Sequence, residues 1–415
     1  MKIAVIGAGV TGVTTAYELL KDTHEVVLYD RLPYAGMHTS YANGGQLSVC
    51  NSEVWTSPAT LLKGMKWMFH NDAPLLFNPK PSIPKMRWIA GFLKNTFNGT
   101  ADQHTIDTIK IGLRARELYF QMADELGLEF SLKKKGILHF YRDIHSYNVA
   151  KESLPLFHAN GVNRITVTPD EIVAIEPALA HIKSTLIGGT YTQDDASGDI
   201  HQFCVSMIDY LRSKGVETMF DTEVSTIAFL EDGRQIVVSK QSDPANPMQL
   251  VIDTRLFDKI VICGGVDSPR LSRMVGDNLN IYPVKGYSIT LPIAEGQSSP
   301  QVSLLDEATK IVSSNFGDRL RVAGTAELAD WNYDIRADRI KPLVNWTRVC
   351  FPWLSVEDTK PWAGLRPMTP SMLPVVQESK RSPGVFYNTG HGHLGWTMAP
   401  ATAEAVCDLI RKSSV

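Results

Sequence analysis

The chain opens MKIAVIGAGVTGVTTAYELLKDTHEVVLYD, residues 1–30. Lys2 to Ile6 is a short β-branched apolar run that suits a buried parallel strand. It ends on Gly7, Gly9 and Gly12, spaced G-x-G-x-x-G within Gly7-Ala8-Gly9-Val10-Thr11-Gly12. Gly7 permits the sharp turn, Gly9 lets backbone approach a pyrophosphate, and Gly12 lets the next helix pack close to the strand. That helix, Val10 to Lys21, directs free N–H groups and a positive dipole end at bound phosphate. A second strand, Glu25 to Tyr29, delivers Asp30, 18 residues beyond Gly12 and placed for a ribose diol. The bare motif also fits a tight β–α turn without a ligand. The strand before, the helix after and the terminal acid together favour a dinucleotide site. Asp30 would repel a 2′-phosphate, which leaves FAD or NAD.

At 415 residues the chain is long enough for two domains. With 44% hydrophobic and 20% charged residues and a net charge of -3, it has no basic domain or tail to hold nucleic acid. Its five cysteines, 50, 204, 263, 350 and 407, are scattered and form no C-x-x-C pair, the pattern of a reducing compartment. The N-terminus is itself the nucleotide-binding strand, which argues against a signal peptide. No apolar run reaches bilayer length. The expected location is cytoplasmic, either free or peripheral on the cytoplasmic face of a bacterial inner membrane.

Arg31 to Ser48 is rich in small hydrogen-bonding residues, as expected of a cofactor-wrapping loop or a polar surface loop. Trp55 to Leu93 interleaves aromatic residues with lysines and prolines, a composition that fits peripheral membrane contact or domain core. Ile106 to Leu126 has helical periodicity. The β–α rhythm returns from Thr185, with a helix from Ile200 to Ser213. An apolar strand then runs onto Cys263, Gly264 and Gly265, either a second close approach to the nucleotide or an ordinary strand end. The turn Thr389 to Gly395 leads into a helix from about Thr397 to Lys412, a place to stabilise negative charge. His391 and His393 flank Gly392 without carboxylate or cysteine company, so they read as structural or tuning residues and no metal site is expected.

The motifs GAGVTG, TSYANGGQ, VICGG, PVKGYS, GLRPMTP and NTGHGHLGWTMA, in this order, resemble the D-amino acid dehydrogenase branch of the glycine/D-amino acid oxidase flavoproteins. The likeness runs essentially end to end. It implies an α/β, Rossmann-like FAD-binding domain of the glutathione-reductase-like, D-amino acid oxidase type. An interleaved α+β substrate domain built on an antiparallel sheet accompanies it. The expected division is 1–60, 185–280 and 362–415 for FAD, with 61–184 and 281–361 for substrate. Gly7 to Gly12 would meet the pyrophosphate, and Asp30 and Arg31 the adenosine ribose end. Thr39, Ser40, Ala42, Asn43, Gly44 and Gln46 would follow the pyrophosphate and flavin. Val224 would bracket the adenine, with Cys263 and Gly264 near the nucleotide. Gly390, Gly392, His393, Leu394, Gly395, Trp396 and Thr397 would hold the isoalloxazine edge, where the helix dipole favours an anionic reduced flavin.

The resemblance further implies that Arg366 pairs with a substrate carboxylate, a role suited to a bidentate guanidinium. Tyr287 is a second candidate contact. Two positions depart from the branch pattern: Ser371 follows GLRPMTP where Asp is usual, and DEATK at 306–310 carries Thr309 where Tyr is usual. Ala363 and Gly364 stand where related sarcosine oxidases tether FAD through cysteine, so FAD is expected to be noncovalent. The implied activity is oxidative deamination of a small or D-proline-like D-amino acid by hydride transfer to flavin N5, giving a 2-oxo acid and ammonia. Electrons would pass to a quinone or another respiratory-chain acceptor, with residues 55–93 as docking surface. An oxygen-using amino acid oxidase of glycine, sarcosine or D-hydroxyproline type, or a flavin-binding subunit that needs a partner, are the alternatives.

Overall fold

A computed structural model describes residues 1–67, 75–243 and 246–413. The opening unit forms as read: strand Lys2–Ile6, helix Val10–Lys21 and strand Glu25–Tyr29, the strands parallel with Lys2 opposite Glu25. A six-stranded sheet grows on both sides of them, in the order 375–378, 385–389, 259–262, 2–6, 25–29, 217–219. Every pairing in it is parallel except 375–378 with 385–389. Strands buried on both faces need continuous apolar runs, and Ile3 to Val5 and Ile260 to Ile262 are fully buried.

One face of this sheet is covered by helices Val10–Lys21, Ala101–Leu126, Ile200–Ser213 and Gly395–Lys412 around a common core. Asp199 caps the third of these by accepting from the N–H groups of His201 and Gln202. Tyr119, Phe130, Phe203 and Trp396 meet edge to face inside that core, so the long helix 101–126 packs on the nucleotide side of the molecule. The other face carries the three-stranded antiparallel meander 222–229, 235–243 and 246–257.

The second sheet has nine strands, mostly antiparallel, with the path 360–368, 282–292, 319–328, 311–315, 303–306, 137–141, 188–192, 164–167 and strand 75–77 paired to 319–328. Sheet membership differs from the sequence division at two places. Strand Gly188–Thr192 pairs with 137–141 and 164–167, and strand Lys360–Met368 pairs with 282–292. Both belong to the nine-stranded sheet because their partners lie there, a fact of pairing that composition does not carry. One face of this sheet packs on helix Ala337–Cys350 through Ile289, Leu343 and Trp346. The other faces the nucleotide loops and encloses the cavity.

Residues 55–93 form helix Pro58–Trp67, strand Leu75–Phe77 and most of helix Ile83–Phe97. Met68, Phe69 and Pro74 of that segment lie outside the described residues. Trp88 is buried and donates its indole N–H to the Met368 carbonyl, and Trp55 stacks on His393. These aromatics are therefore wall, whereas Ile83, Met86 and Phe97 are exposed on helix 83–97, and Leu93 lies at the rim of the cavity. Among the described residues no helix is long and apolar enough to cross a membrane.

Candidate functional site

A single cavity of about 1210 Å³ runs from the glycine motif to the face of the nine-stranded sheet. Its end at the glycine motif is built by missing side chains. Gly7 sits at φ +109°, and a Cβ there would lie 2.6 Å from the Cys263 carbonyl oxygen. A Cβ on Gly12 would lie 1.7 Å from the Gly7 carbonyl oxygen, so helix and strand touch at that point. Gly9 is different: its nearest neighbour would be Ser40 Oγ at 3.6 Å, which leaves open space on the cavity side. These three environments match the three tasks of the motif. Neither N-cap residue, Gly9 or Leu394, caps its helix with a side chain, and the residues that begin both helices border the cavity.

Asp30 borders the cavity and accepts from Ala8 N at 2.6 Å and Leu32 N at 2.9 Å. Burial raises its carboxyl, and those two N–H groups oppose the rise. Arg31 pairs with Asp267 at 2.9 Å, and Val224 offers its carbonyl to Arg270. The loop after Arg31 is pinned residue by residue. Thr39 donates to the Leu365 carbonyl and Ser40 accepts from Val10 N, while Ala42, Asn43 and Gly44 give their carbonyls to Ser288, Arg321 and Ser314. Gln46 donates to Ser303 and to the Leu304 carbonyl. Of the residues singled out in the sequence, Ala8, Gly12 and Thr397 do not border the cavity. Thr397 instead accepts from Ser48 N and so fastens the loop to the last helix.

Arg366 points into the other end. Its guanidinium lies over Gly286, where a Cβ would be 2.4 Å from Nη2. Among the described residues its hydrogen bonds go only to the carbonyls of Thr325 at 3.2 Å and Lys285 at 3.4 Å, and no carboxylate pairs with it. Burial alone lowers its value from 12.5 to about 10. A guanidinium held this way has donors and charge to spare for an anion. Thr325 sits where the ladder with strand 282–292 shifts register, at φ +57°, a strained setting for a β-branched residue. That bulge turns the Thr325 carbonyl to Arg366.

Tyr287 borders the cavity, but its hydroxyl does not join this group. In the ladder Arg366 lies opposite Val284 and Tyr287 opposite Ala363, so their side chains leave opposite faces of the sheet. The Tyr287 hydroxyl donates to Glu327 at 2.5 Å inside the core behind the cavity. The bond to Glu327 leaves the expected second substrate contact from the Tyr287 hydroxyl without support.

Two groups went unread in the sequence. Cys50 Sγ lies 3.2 Å from His139 Nε2, whose Nδ1 lies 3.0 Å from Glu307 Oε1, and Arg164 donates to Thr190 and Tyr141 beside them. Burial disfavours ionised Glu307, but Lys310 and His139 outweigh it and hold the carboxyl well below its ordinary range. Glu307 and Lys310 place the DEATK loop on the cavity wall. The second group is Trp55 stacked on His393, ring centroids 4.8 Å apart. Neither spacing nor periodicity signals it, because the two residues are more than 300 positions apart.

The family model for FAD dependent oxidoreductases, DAO, matches residues 2–409. D-amino acid dehydrogenase 3 of Mesorhizobium japonicum is 45% identical over 99% of this chain and 97% of its own length. A D-amino acid dehydrogenase of Dechloromonas aromatica is 38% identical over 99% and 97%. Among solved structures, glycine oxidase from Geobacillus kaustophilus superposes with a TM-score of 0.75 at 20% identity, covering 99% of this chain and 94% of that one. The FAD-bound L-alpha-glycerophosphate oxidase of Mycoplasma pneumoniae gives 0.70 at 17%, covering 99% and 94%. With the glycine cradle, the two helix starts on the cavity and this match over nearly its whole length, the chain belongs to the DAO family of FAD-dependent oxidoreductases.

Proposed function

We propose that this protein oxidatively deaminates small, neutral D-amino acids to 2-oxo acids and ammonia and passes the electrons to a membrane quinone. The observation that carries the reading is Arg366, a cavity-facing guanidinium that has no carboxylate partner among the described residues. Noncovalently bound FAD supplies the two-electron acceptor. The residues of the chain supply binding and orientation. Gly7 to Gly12, Asp30 and the loop 39–46 hold the dinucleotide, and the start of helix 395–412 favours negative charge near residues 390–396. Arg366 anchors the substrate carboxylate with both N–H edges, fixing which bond of the α-carbon faces the cofactor. The pinned loop and the wall that includes Trp55, Leu61, Gly64 and Leu75 keep bulk water from that bond.

The names of the relatives at 45% and 38% identity support the D-amino acid substrate class. Exposed Ile83, Met86 and Phe97, flanked by exposed Arg87 and Lys94, support contact with an anionic membrane surface where quinone resides. The test is reoxidation. Enzyme reduced anaerobically by D-alanine should be oxidised faster by a ubiquinone analogue than by air-saturated buffer, with pyruvate as product. Fast oxidation by oxygen with stoichiometric peroxide would make it an oxidase instead.

A further inference from the structure

We propose that residues 331–333 form a latch across the dinucleotide groove, with Trp331 holding one bank and Tyr333 the other, so that FAD passes in or out only when these contacts open. The inference goes beyond the amino acid reading above and does not depend on which substrate is oxidised.

Strand 2–6 lies between strands 25–29 and 259–262, so the glycine motif that follows it is the floor of a groove. The loop after strand 25–29 is one bank, and the turn after strand 259–262 is the other. Arg31, His38, Gly264, Gly265 and Asp267 of these banks border the cavity. The latch comes from the other sheet, as the continuation of strand 319–328. Asp330, at φ +53°, roots it by accepting from Ser82 Oγ at 2.7 Å and from the Tyr282 hydroxyl at 2.9 Å. Asn332 accepts from buried Lys285 at 2.7 Å. From this root Trp331 donates its indole N–H to the Val266 carbonyl at 3.3 Å, and the Tyr333 hydroxyl lies 2.6 Å from His38 Nε2. One short segment therefore touches both banks.

The proton positions on the Tyr333 side follow from the groups at the two ends of the series. The Leu365 carbonyl can only accept, so Thr39 donates to it at 2.8 Å, and the Thr39 oxygen is left to accept from His38 Nδ1 at 3.1 Å. A neutral imidazole that donates through Nδ1 accepts at Nε2, so Tyr333 gives its hydroxyl proton to His38. Arg31 can only donate, and it meets the Tyr333 oxygen. Burial first and the Arg31 charge second lower His38, which keeps the ring in the neutral form that this order needs. From Arg31 through Tyr333, His38 and Thr39 to Leu365, every donor thus has an acceptor. Trp331 and Tyr333 are 40% and 43% exposed, so water reaches the latch from outside and replaces its bonds when it opens. Neither ring borders the cavity, so both are positioning residues and not cofactor contacts. Uptake and release both need the banks to part. A contact made equally in the free and the loaded protein slows both rates and leaves the Kd unchanged.

The test uses purified holoenzyme and two variants. Tyr333→Phe removes one hydroxyl, and Trp331→Phe removes the indole N–H while keeping an aromatic ring against Tyr282. Each protein is diluted, and the fluorescence of freed FAD is followed to its plateau. The time course gives the release rate, and the plateau gives the Kd. Loss of one hydrogen bond should make release about 5-fold faster in either variant, with the Kd within about twofold of wild type. The uptake rate, obtained as the ratio of the two, should rise by the same factor as release. The double variant should release FAD about 25-fold faster if the two banks are held independently. A wild-type release rate in both single variants overturns the inference. So does a Kd that rises by the same factor as the release rate, because the segment would then supply cofactor affinity and gate nothing. No substrate is added, so either failure leaves the proposed function standing.

Discussion

Replacing Arg366 with methionine removes the charge, keeps most of the side-chain volume and leaves Gly286 uncrowded. Lowering a guanidinium from 12.5 to about 10 by burial costs the ligand-free fold on the order of 3 kcal/mol at neutral pH. Water that reaches the residue through the cavity reduces this figure. The unfolded chain binds the extra proton between about 10 and 12.5, so stability rises with pH across that window, and below 10 the whole penalty is present. Arg366→Met should therefore melt at the same temperature as wild type or a few degrees higher when no ligand is bound. Its carboxylate affinity should move the other way. Truncating one partner of a buried charge pair loses about 2 to 5 kcal/mol, or roughly 30-fold to several-thousand-fold in binding. Thermal melts of the FAD-loaded protein with and without propionate read both quantities at once: wild type should gain stability with ligand and the variant should not. A variant that melts several degrees lower and still responds to propionate would refute the reasoning, because Arg366 would then be a packing residue.

Gly9→Val should fold with wild-type circular dichroism yet purify colourless, because the added atoms find 3.6 Å of room on the protein side but fill the approach to the pyrophosphate; Gly12→Ala, aimed at the Gly7 carbonyl, should not fold. His391 is buried, and burial lowers it to about 3, so its neutral form contributes stability that is complete above 6.5 and fades as pH falls toward 3; His391→Gln should flatten this acid limb in urea melts between pH 6.5 and 4. Glu307→Gln removes a carboxylate that His139 and Lys310 hold ionised, and it should cost about 1 to 3 kcal/mol above pH 4.5, with the difference shrinking in acid. Thr325→Gly relieves a β-branched residue at φ +57° and should raise the melting temperature slightly while leaving the carbonyl on Arg366.

What could be read from the sequence was local chemistry. The glycine spacing, the apolar runs either side of it and the acid at 30 state their roles within thirty residues, and helix 200–213 takes the expected bounds, with Asp199 as its cap. Arg366 was visible through its motif, but its lack of a carboxylate partner among the described residues was not, since that depends on what the strands at 282–292 and 319–328 leave beside it. The same limit explains Tyr287: one step along a strand reverses the face, and only the pairing with 360–368 says which face holds the cavity. Cys50, His139 and Glu307 meet because strand 303–306 lies parallel to strand 137–141, a crossover of more than 160 residues that no window of sequence contains. His393 lay in plain view between two glycines. Its stacking on Trp55 needed the fold.

Anaerobic mixing of the purified, FAD-loaded protein with D-alanine and, separately, with L-alanine tests the central claim most directly. The account predicts complete bleaching of the flavin bands by the D-enantiomer, one pyruvate and one ammonia per flavin, and no reaction with the L-enantiomer at the same concentration. An unchanged spectrum with D-alanine and every other D-amino acid tried, or bleaching by L-alanine at an equal rate, would contradict it.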